Sequence, residues 1–185
     1  MPEIEIRPVT AADLPRILEI DHDYVSDHVW QLHVQKESGA SPGDVQVSVV
    51  FRQLQLPRSV HVAYPKPVAR PVDKFAKDAG LLAAVLAGEM VGYIRMCTNI
   101  APLTTWVTDL AVMRRHRRQG IGSGMVLAGQ EWAHQQGSYR MILEMQPKNF
   151  PAISLAQKLG FDLCGYNDRY YPNHDIALFF AKSIR

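Results

Sequence analysis

Gly120, Gly122 and Gly124 alternate in the chain directly after the basic segment Arg114-Arg115-His116-Arg117-Arg118-Gln119. A backbone without side chains at alternate positions can approach a bulky ligand closely and turn its amides outward. The residues from Ile121 to Gln136 are predicted to be a helix, whose N-terminus adds unpaired N–H donors and the positive end of its dipole. Together with the four arginines, this pattern favours a polyanionic phosphate ligand.

Two other glycine motifs for phosphate do not fit this segment. A dinucleotide-binding turn needs the spacing G-x-G-x-x-G immediately after a strand. Here the spacing is G-x-G-x-G, and six residues separate Gly120 from Met113 at the end of the predicted strand. A P-loop needs glycine-lysine followed by serine or threonine, which does not occur here. For Arg114 and Arg115 taken singly, a solvated basic loop is the favoured interpretation.

The bulk properties predict one globular domain over residues 1–185, with a hairpin and loop insertion at about 36–75. Charges nearly balance, with 20 basic and 18 acidic side chains, which argues against a general nucleic-acid coat. No apolar run reaches the length of a membrane span, and the acidic N-terminus is unlike a signal peptide, so we expect a cytoplasmic protein without a membrane partner. Cys97 and Cys164 are expected to be buried, reduced thiols. The histidines lack a metal-ligand spacing, so no metal is expected.

The apolar periodicity predicts a mixed order of elements that is typical of an α+β (or α/β) domain around one sheet. The first part of the chain is predicted to contain a strand at Ile4–Ile6, a helix opened by Thr10 and Asp13, a second helix at about Tyr24–Gln35, strands at Val45–Gln55 and Arg58–Tyr64 on either side of Leu56-Pro57, and a proline-marked connection at 65, 67 and 71. The second part is predicted to contain a hairpin from Leu81 to Cys97, a strand at Thr104–Met113, the helix after Gly120, a strand at Met141–Met145, a helix capped by Asn149, and strands at Phe161–Tyr166 and Asp175–Ala181.

Three segments in register resemble one known family. Arg117-Arg118-Gln119-Gly120-Ile121-Gly122 is similar to the [QR]-x-x-G-x-[GA] turn of the GNAT acyl-CoA-dependent N-acetyltransferases. Val107–Val112 resembles the strand before that turn, and Asn149–Phe161 resembles the family's Asn-capped second signature helix. The resemblance covers about residues 104–165. Short segments are also similar to streptothricin acetyltransferases: Asp23-Tyr24, Val29-Trp30-Gln31-Leu32, Leu143-Glu144-x-Gln146 and Tyr170-Tyr171 with Asp175-Ile176-Ala177.

This resemblance implies a central mixed, twisted sheet of about seven strands flanked by helices. It also implies that the sheet is splayed between its fourth and fifth core strands and holds acetyl-CoA as co-substrate in the gap. The backbone of the β-strand before the turn would pair with pantetheine, the turn amides would hold the pyrophosphate, and Asn149 would bond the pantetheine arm or act only as a helix cap. The implied cofactor-binding residues are Leu110, Ala111, Val112, Arg117, Arg118, Gln119, Gly120, Ile121, Gly122, Ser123, Asn149 and Ala152.

The implied reaction is the attack of a neutral amine on a thioester, which requires a base. Asp109 is the leading candidate for this base because of its location, since it is expected to share a strand face with Val107 and Ala111. The equal alternative is that Asp109 is a buried aspartate with only a structural role. Glu144 is the other candidate, as a base, as a binder of a cationic substrate, or as a strand carboxylate satisfied by backbone donors. A backbone amide near Leu110 or Ala111 would stabilise the tetrahedral oxygen.

Many family members carry a tyrosine acid at the position of Ala156. The departing thiolate would then be protonated by solvent or by Tyr166, Tyr170 or Tyr171, of which we name Tyr171, although core or edge packing is the favoured role for each tyrosine taken singly. Asp23, Tyr24 and Trp30 are the predicted substrate-binding residues.

The predicted function is therefore transfer of acetyl from acetyl-CoA to a primary amine of a small molecule or peptide in a ternary complex, without nucleic acid; a homodimer is compatible with it. A non-catalytic acyl-CoA sensor of the same fold is the alternative.

Overall fold

The computed structural model describes residues 4–38, 43–66 and 79–184. The predicted prolines at 67 and 71, and the end of the predicted insertion, lie outside these residues. The elements in chain order are β1 (Ile4–Pro8), α1 (Leu14–Glu19), β2 (Tyr24–Ser38), β3 (Val45–Val62), β4 (Ala79–Leu86), β5 (Glu89–Ala101), β6 (Thr104–Val112), α2 (Ile121–Gln135), β7 (Arg140–Met145), α3 (Phe150–Lys158), β8 (Asp162–Asn167) and β9 (Ala177–Ser183).

Seven strands form one mixed sheet in the order β1-β4-β5-β6-β7-β9-β8. All neighbours are antiparallel except β6 and β7, which pair in parallel from Thr104–Arg140 to Val107–Leu143. Beyond Val107 the two strands separate, although β6 continues to Val112. The expected α+β fold, with a sheet splayed between its fourth and fifth strands, is confirmed.

The sheet carries a hydrophobic core on each face. On one face α2 and α3 pack through Ile121, Met125 and Ile153 onto β4 to β7, because their apolar residues recur at helical spacing. On the other face Ile17 of α1 and Ile20, which follows the helix, pack against Tyr93 and Ala111. The faces of β6 are thereby fixed, and with them the direction of each side chain at the gap.

The prediction of a helix at Tyr24–Gln35 is wrong. These residues belong to β2, which pairs with β3 as a long antiparallel ribbon. Its aromatic and β-branched residues pair across the ribbon, and such long-range pairing overrides a short local pattern. The ribbon is attached to the main sheet by the Trp30 amide, which donates to the Pro147 carbonyl at 3.0 Å, and by the contact of the Trp30 ring with Phe180.

The prediction of two strands flanking Leu56-Pro57 is also wrong, since β3 runs continuously from Val45 to Val62. The predicted break is instead a shift of register: Ser26 pairs with Val60 and His28 pairs with Gln55. Proline has no N–H for the ladder, so Pro57 is accommodated in an irregularity where the pairing is interrupted.

A bulge in β6 changes which face Asp109 occupies. Arg95 pairs with Asp109, whereas the next residue, Met96, pairs with Val107, so Thr108 is the extra residue. Val107 packs beneath α2 and α3, while Ala111 packs on the α1 face. Asp109 therefore shares its face with Ala111, and the expectation that it also shares that face with Val107 is wrong.

The expectation that both cysteines are buried is wrong for Cys164, which is exposed, and Cys97 is half-buried. Cys164 lies at a register shift between Leu163 and Gly165 in β8, the edge strand of the sheet. A residue bulged from an edge strand has no covering layer, which explains its exposure.

Candidate active site

The gap between β6 and β7 opens into a partly open cavity, with about 600 Å³ of empty space when the adjoining open solvent is included. Two of its walls are formed by Val107–Leu110 of β6 and by Leu143–Met145 of β7 with the following residue, Gln146. The cavity is completed by the first two turns of α3, by the segment Tyr64–Lys66 that follows β3, and by Tyr171. The cavity therefore brings Asp109, Glu144 and Tyr171 together, as the predicted catalytic roles require.

The glycine turn leads directly into α2. Gly120 has a φ of +85° and Arg118 a φ of +65°, so two residues adopt the left-handed conformation just before the helix begins at Ile121. A Cβ at position 120 would meet no atom within 4 Å, so the requirement for glycine there is conformational. A Cβ on Gly122 would lie 3.5 Å from Leu155, which lines the cavity, so the turn and the cavity are adjacent.

The Arg117 side chain is engaged with the protein itself. Its guanidinium donates to the carbonyls of Val112 and Asp23 at 2.8 Å each, and also to the carbonyl of Asp21. Burial lowers its pKa, since removal from water disfavours the charged form. Arg117 thus fastens the start of β2 to the end of β6, whereas Arg118 is exposed at the turn.

Within the part of the chain that the structure describes, one edge of β6 has no strand partner beside the gap. β5 pairs with β6 as far as Val112, whereas the pairing with β7 ends at Val107. From Thr108 onward, the backbone groups on the β7 side of β6 face the gap, where an extended ligand can bond to them as an added strand would. The predicted segment Leu110–Val112 lies at this edge, and Leu110 lines the cavity.

Asn149 caps α3, as predicted. Its side-chain oxygen accepts a hydrogen bond from the Ala152 amide at 3.2 Å, and both residues line the cavity. The capping bond leaves the NH₂ group of Asn149 for other partners, so the cap role and a ligand role are compatible.

Asp109 is held by two hydroxyls and a nearby guanidinium. The Tyr64 hydroxyl donates to Oδ1, and the Thr108 hydroxyl donates to Oδ2 at 3.0 Å. Arg95 Nη1 lies 3.8 Å from Oδ2. The Asp109 side chain is 12% exposed. Burial, and then the negative charge of Asp109, raises the pKa of Tyr64 far above its usual value, so this hydroxyl remains a donor.

A histidine lies behind Tyr64 and Asp109. His22 Nε2 is 2.8 Å from the Tyr93 hydroxyl, and the His22 ring lies 5.1 Å from that of Tyr64. Burial lowers the pKa of His22, although the charge of Asp109 opposes the shift. A neutral imidazole is therefore favoured beside this carboxylate.

Glu144 lies on the opposite wall and binds a cation of the chain. Its Oε1 is 2.7 Å from Lys66 Nζ, and its side chain is only 3% exposed. Tyr170 donates to Oε2 at 3.0 Å. Burial, and then the Glu144 charge, raises the pKa of Tyr171 well above its usual value. Glu144 is thus held by an ion pair with Lys66 and one side-chain hydrogen bond, while its Oε1 accepts no hydrogen bond from the described residues.

The predicted substrate residues lie just outside the cavity. The described residues that line it do not include Asp23, Tyr24 or Trp30. Asp23 accepts from the Tyr64 amide at 2.8 Å, and Tyr24 donates to Gln146 at 2.7 Å. These two side chains therefore position residues that do line the cavity.

Ala156 is fully buried in the core with Ile153 and Phe161. Of the last turns of α3, Leu155 lines the cavity and Ala156 does not.

Sequence reasoning missed Tyr64, Lys66 and Gln146 as cavity residues. Tyr64 and Lys66 flank Pro65 at the end of a strand, which is the available local signal. Their approach to Asp109 and Glu144 depends on the β2–β3 ribbon. The ribbon was not predicted, because Tyr24–Gln35 was predicted to be a helix.

A family model described as acetyltransferase (GNAT) family matches residues 51–161. The chain belongs to this family. Among curated relatives, the N-alpha-acetyltransferase of Sulfurisphaera tokodaii is 30% identical over 118 residues, covering 58% of this chain and 71% of that protein. The streptothricin acetyltransferase of Streptomyces lavendulae is 27% identical over 95 residues, covering 51% of this chain and 50% of that protein.

Solved structures show the same GNAT fold over nearly the whole chain. A nourseothricin acetyltransferase superposes with a TM-score of 0.80 at 20% identity, covering 98% of this chain and 99% of that one. A putative streptothricin acetyltransferase from Bacillus anthracis str. Ames, in complex with acetyl coenzyme A, gives 0.74 at 19% identity, covering 98% and 99%.

The described residues contain neither a helix that could span a membrane nor a cluster of metal ligands. Within 4–38, 43–66 and 79–184, no helix combines the length and the apolar content of a bilayer span. In the same ranges, no group of three or more histidine, cysteine or acidic residues is arranged to hold a metal ion.

Proposed function

We propose that this protein transfers the acetyl group of acetyl-CoA to a primary amine of a small molecule or peptide, by direct attack in a ternary complex. The observation that carries the proposal is that Asp109 and Glu144 face one cavity at the splay, beside an open strand edge and a glycine turn. An acyl-CoA thioester placed along that edge would bring its carbonyl between the two carboxylates.

We assign the cofactor site to the predicted residues, and their local geometry supports this proposal. Amides from Arg118 to Ser123 surround the positive end of α2, where a pyrophosphate is stabilised. The edge of β6 from Leu110 to Val112 would pair with the pantetheine amides, and Asn149 and Ala152 would border the same arm. Arg117 contributes by fixing the turn, since its side chain is bonded to protein carbonyls.

Asp109 is the proposed general base. An ammonium acceptor must lose a proton before its nitrogen can attack the thioester carbon. Asp109 lines the cavity with both oxygens hydrogen-bonded, which fixes the carboxylate and leaves lone pairs for an incoming N–H. The new C–N bond then forms as the C–S bond breaks, and a backbone amide near Leu110 would stabilise the oxyanion.

Glu144 is the proposed binder of the acceptor's positive charge. Its carboxylate already holds the Lys66 ammonium at 2.7 Å, so the site accepts a primary ammonium group. This favours the substrate-binding alternative for Glu144 over the role of base.

Tyr171 is the proposed hydrogen-bond donor to the departing sulfur. Its raised pKa keeps the phenol protonated. Full transfer of that proton to a thiolate is unfavourable, since thiols have pKa values near about 8.5, so solvent would complete the protonation.

The position of Ala156 favours one second candidate function. Because this alanine is in the core and the family's usual tyrosine is missing, a sensor that binds acyl-CoA without transfer is the alternative. The deciding experiment follows thiol release from acetyl-CoA by the purified protein, with a panel of diamines, aminoglycosides and peptides with free N-termini. Release that depends on the amine and is lost in Asp109→Asn would support the enzyme. Tight CoA binding without release across the panel would support the sensor.

A further inference from the structure

The Lys66 amine occupies the cavity where an acceptor amine is proposed to react. Its Nζ lies 2.7 Å from Glu144 Oε1 and 2.9 Å from the Thr108 carbonyl oxygen. It also lies 5.8 Å from the centre of the Tyr171 ring, on the ring face. Lys66 therefore connects both walls of the splay, and it is itself a primary amine.

This arrangement differs from an ordinary surface ion pair. The Lys66 side chain is 25% exposed and that of Glu144 is 3% exposed, whereas surface pairs lie mostly in water. Thr108 is the bulged residue of β6, next to Asp109, so its carbonyl holds the ammonium within the proposed reaction site. The contacts of Lys66 are those expected for a bound cationic acceptor.

We propose that Lys66 is a self-acetylation site, modified in cis by this cavity when acetyl-CoA is bound and no other acceptor displaces it. The inference rests on the proposed acetyltransferase function. It adds a modification site, whose amine reaches the reacting centre without diffusion, so that its reaction is effectively unimolecular.

The chemistry balances with acetyl-CoA as the only co-reactant. One proton passes from the Lys66 ammonium to Glu144, and the nitrogen lone pair attacks the thioester carbonyl carbon. The C–N bond forms, and the C–S bond breaks with its electron pair going to sulfur. The second nitrogen proton is transferred to the thiolate, giving a neutral amide and free CoA thiol, and Glu144 releases its proton to solvent.

The test is incubation of the purified full chain with acetyl-CoA and no amine, followed by intact mass measurement and peptide mapping. Lys66→Arg keeps the positive charge but cannot form this amide. Lys158→Arg removes an exposed lysine at the end of α3 and is the matched control. Time courses at two protein concentrations tenfold apart distinguish reaction within one chain from reaction between chains.

We expect one acetyl group on Lys66, with the same half-time at both concentrations. The label should be absent from Lys66→Arg, unchanged in Lys158→Arg, and slower by at least about tenfold in Glu144→Gln, which removes the carboxylate that takes the Lys66 proton. An amine that is a good acceptor should slow the labelling, because it competes for Glu144.

Three results would overturn the inference: an unmodified Lys66 while added amines still release thiol, equal labelling of Lys66 and exposed lysines, or a rate proportional to protein concentration. If neither thiol release nor labelling occurs, the proposed acetyltransferase function itself fails, so the two failures are distinguishable.

Discussion

At the residue scale, Tyr170 and Tyr171 are neighbours in sequence with different surroundings. Tyr171 is 4% exposed and lines the cavity, whereas Tyr170 is 42% exposed. Burial and the Glu144 charge raise the pKa of Tyr170 to about 12, and that of Tyr171 further. We expect Tyr171→Phe to lower kcat by about 10- to 100-fold, as the loss of one donor to developing charge does. Tyr170→Phe removes only a hydrogen bond to Glu144 Oε2, so it should lower kcat less, by about fivefold at most. Steady-state kinetics with the best acceptor provide the measurement, and equal effects of the two substitutions would refute the assignment.

Ala156 makes a second residue-scale prediction, on the tyrosine that this chain lacks. The alanine is fully buried beside Ile153 and Phe161, so a tyrosine there would overpack the core. Ala156→Tyr should lower the free energy of unfolding by about 1–3 kcal/mol without raising kcat. Urea unfolding and initial rates measure the two effects. A gain in kcat at unchanged stability would show that this position reaches the reaction site.

At the element scale, the two ends of α2 provide a matched pair of glycines. Gly120 has a φ of +85° and Gly137 a φ of +78°, and a Cβ at either position would meet no atom within 4 Å. Alanine at each should therefore cost a similar amount of stability, about 1–2 kcal/mol, through backbone strain alone. Only Gly120→Ala should also weaken CoA binding, because it reorients the amides at the helix N-terminus. Calorimetric titration with CoA is the measurement, and equal affinity of both variants would remove the turn from the site.

The entry into α1 depends on Asp13, and its contribution should vary with pH. The carboxylate accepts from Arg7 at 2.7 and 3.0 Å and from the Thr10 amide and hydroxyl at 2.8 Å each. The bond from Arg7, and then those from Thr10, hold the pKa of Asp13 well below its usual range against the effect of burial. A carboxyl whose pKa is lower in the folded than in the unfolded protein stabilises the fold at pH values above its unfolded pKa. This stabilisation is lost as the pH falls through the folded pKa.

Asp13→Asn should therefore lower the free energy of unfolding at pH 7 by about 1.5–3 kcal/mol. The difference from wild type should narrow as the pH falls below about 4, near the pKa of an unfolded aspartate. Denaturant unfolding between pH 7 and pH 3 measures this. Glu19→Gln, which breaks the exposed pair with Arg16, is the control and should remain close to wild type. A gap that is constant with pH would contradict the role of the carboxylate charge.

The elements that sequence could predict are those whose signals are local. The glycine turn, the hairpin at Gly88 and the cap at Asn149 each depend on residues within a few positions, and the structure contains all three. The β2–β3 ribbon was not predictable in this way, because pairs such as Trp30–Gln53 join distant residues.

The bulge at Thr108 also has no composition signal, and it decides which face Asp109 occupies. Because such features have no local signal, only some of the cavity residues could be predicted from the sequence. Asp109 and Glu144 could be named from their strands, whereas Lys66 required knowledge of where the ribbon returns the chain.

At the scale of the whole molecule, the proposed cofactor site is shared among elements from both halves of the chain. Arg117 joins the turn before α2 to the start of β2, and Trp30 joins β2 to the segment before α3. The ribbon, the splayed strands and both helices beside the gap are thus connected through hydrogen bonds. A ligand in the gap contacts several of these elements at once, so its binding energy should stabilise the entire fold.

This connection predicts a measurable thermal shift. Acetyl-CoA at 100 times its Kd should raise the free energy of unfolding by about 2.7 kcal/mol. For a chain of this size, that is a rise in Tm of about 5–10 °C. ADP, which has the pyrophosphate without the pantetheine arm, should give a much smaller rise at the same concentration, because it leaves the edge of β6 unpaired. Gly137→Ala should retain the acetyl-CoA shift, whereas Gly120→Ala should lose most of it. Equal shifts with ADP and acetyl-CoA would mean that the turn binds phosphate alone and that the open edge of β6 takes no part in recognition.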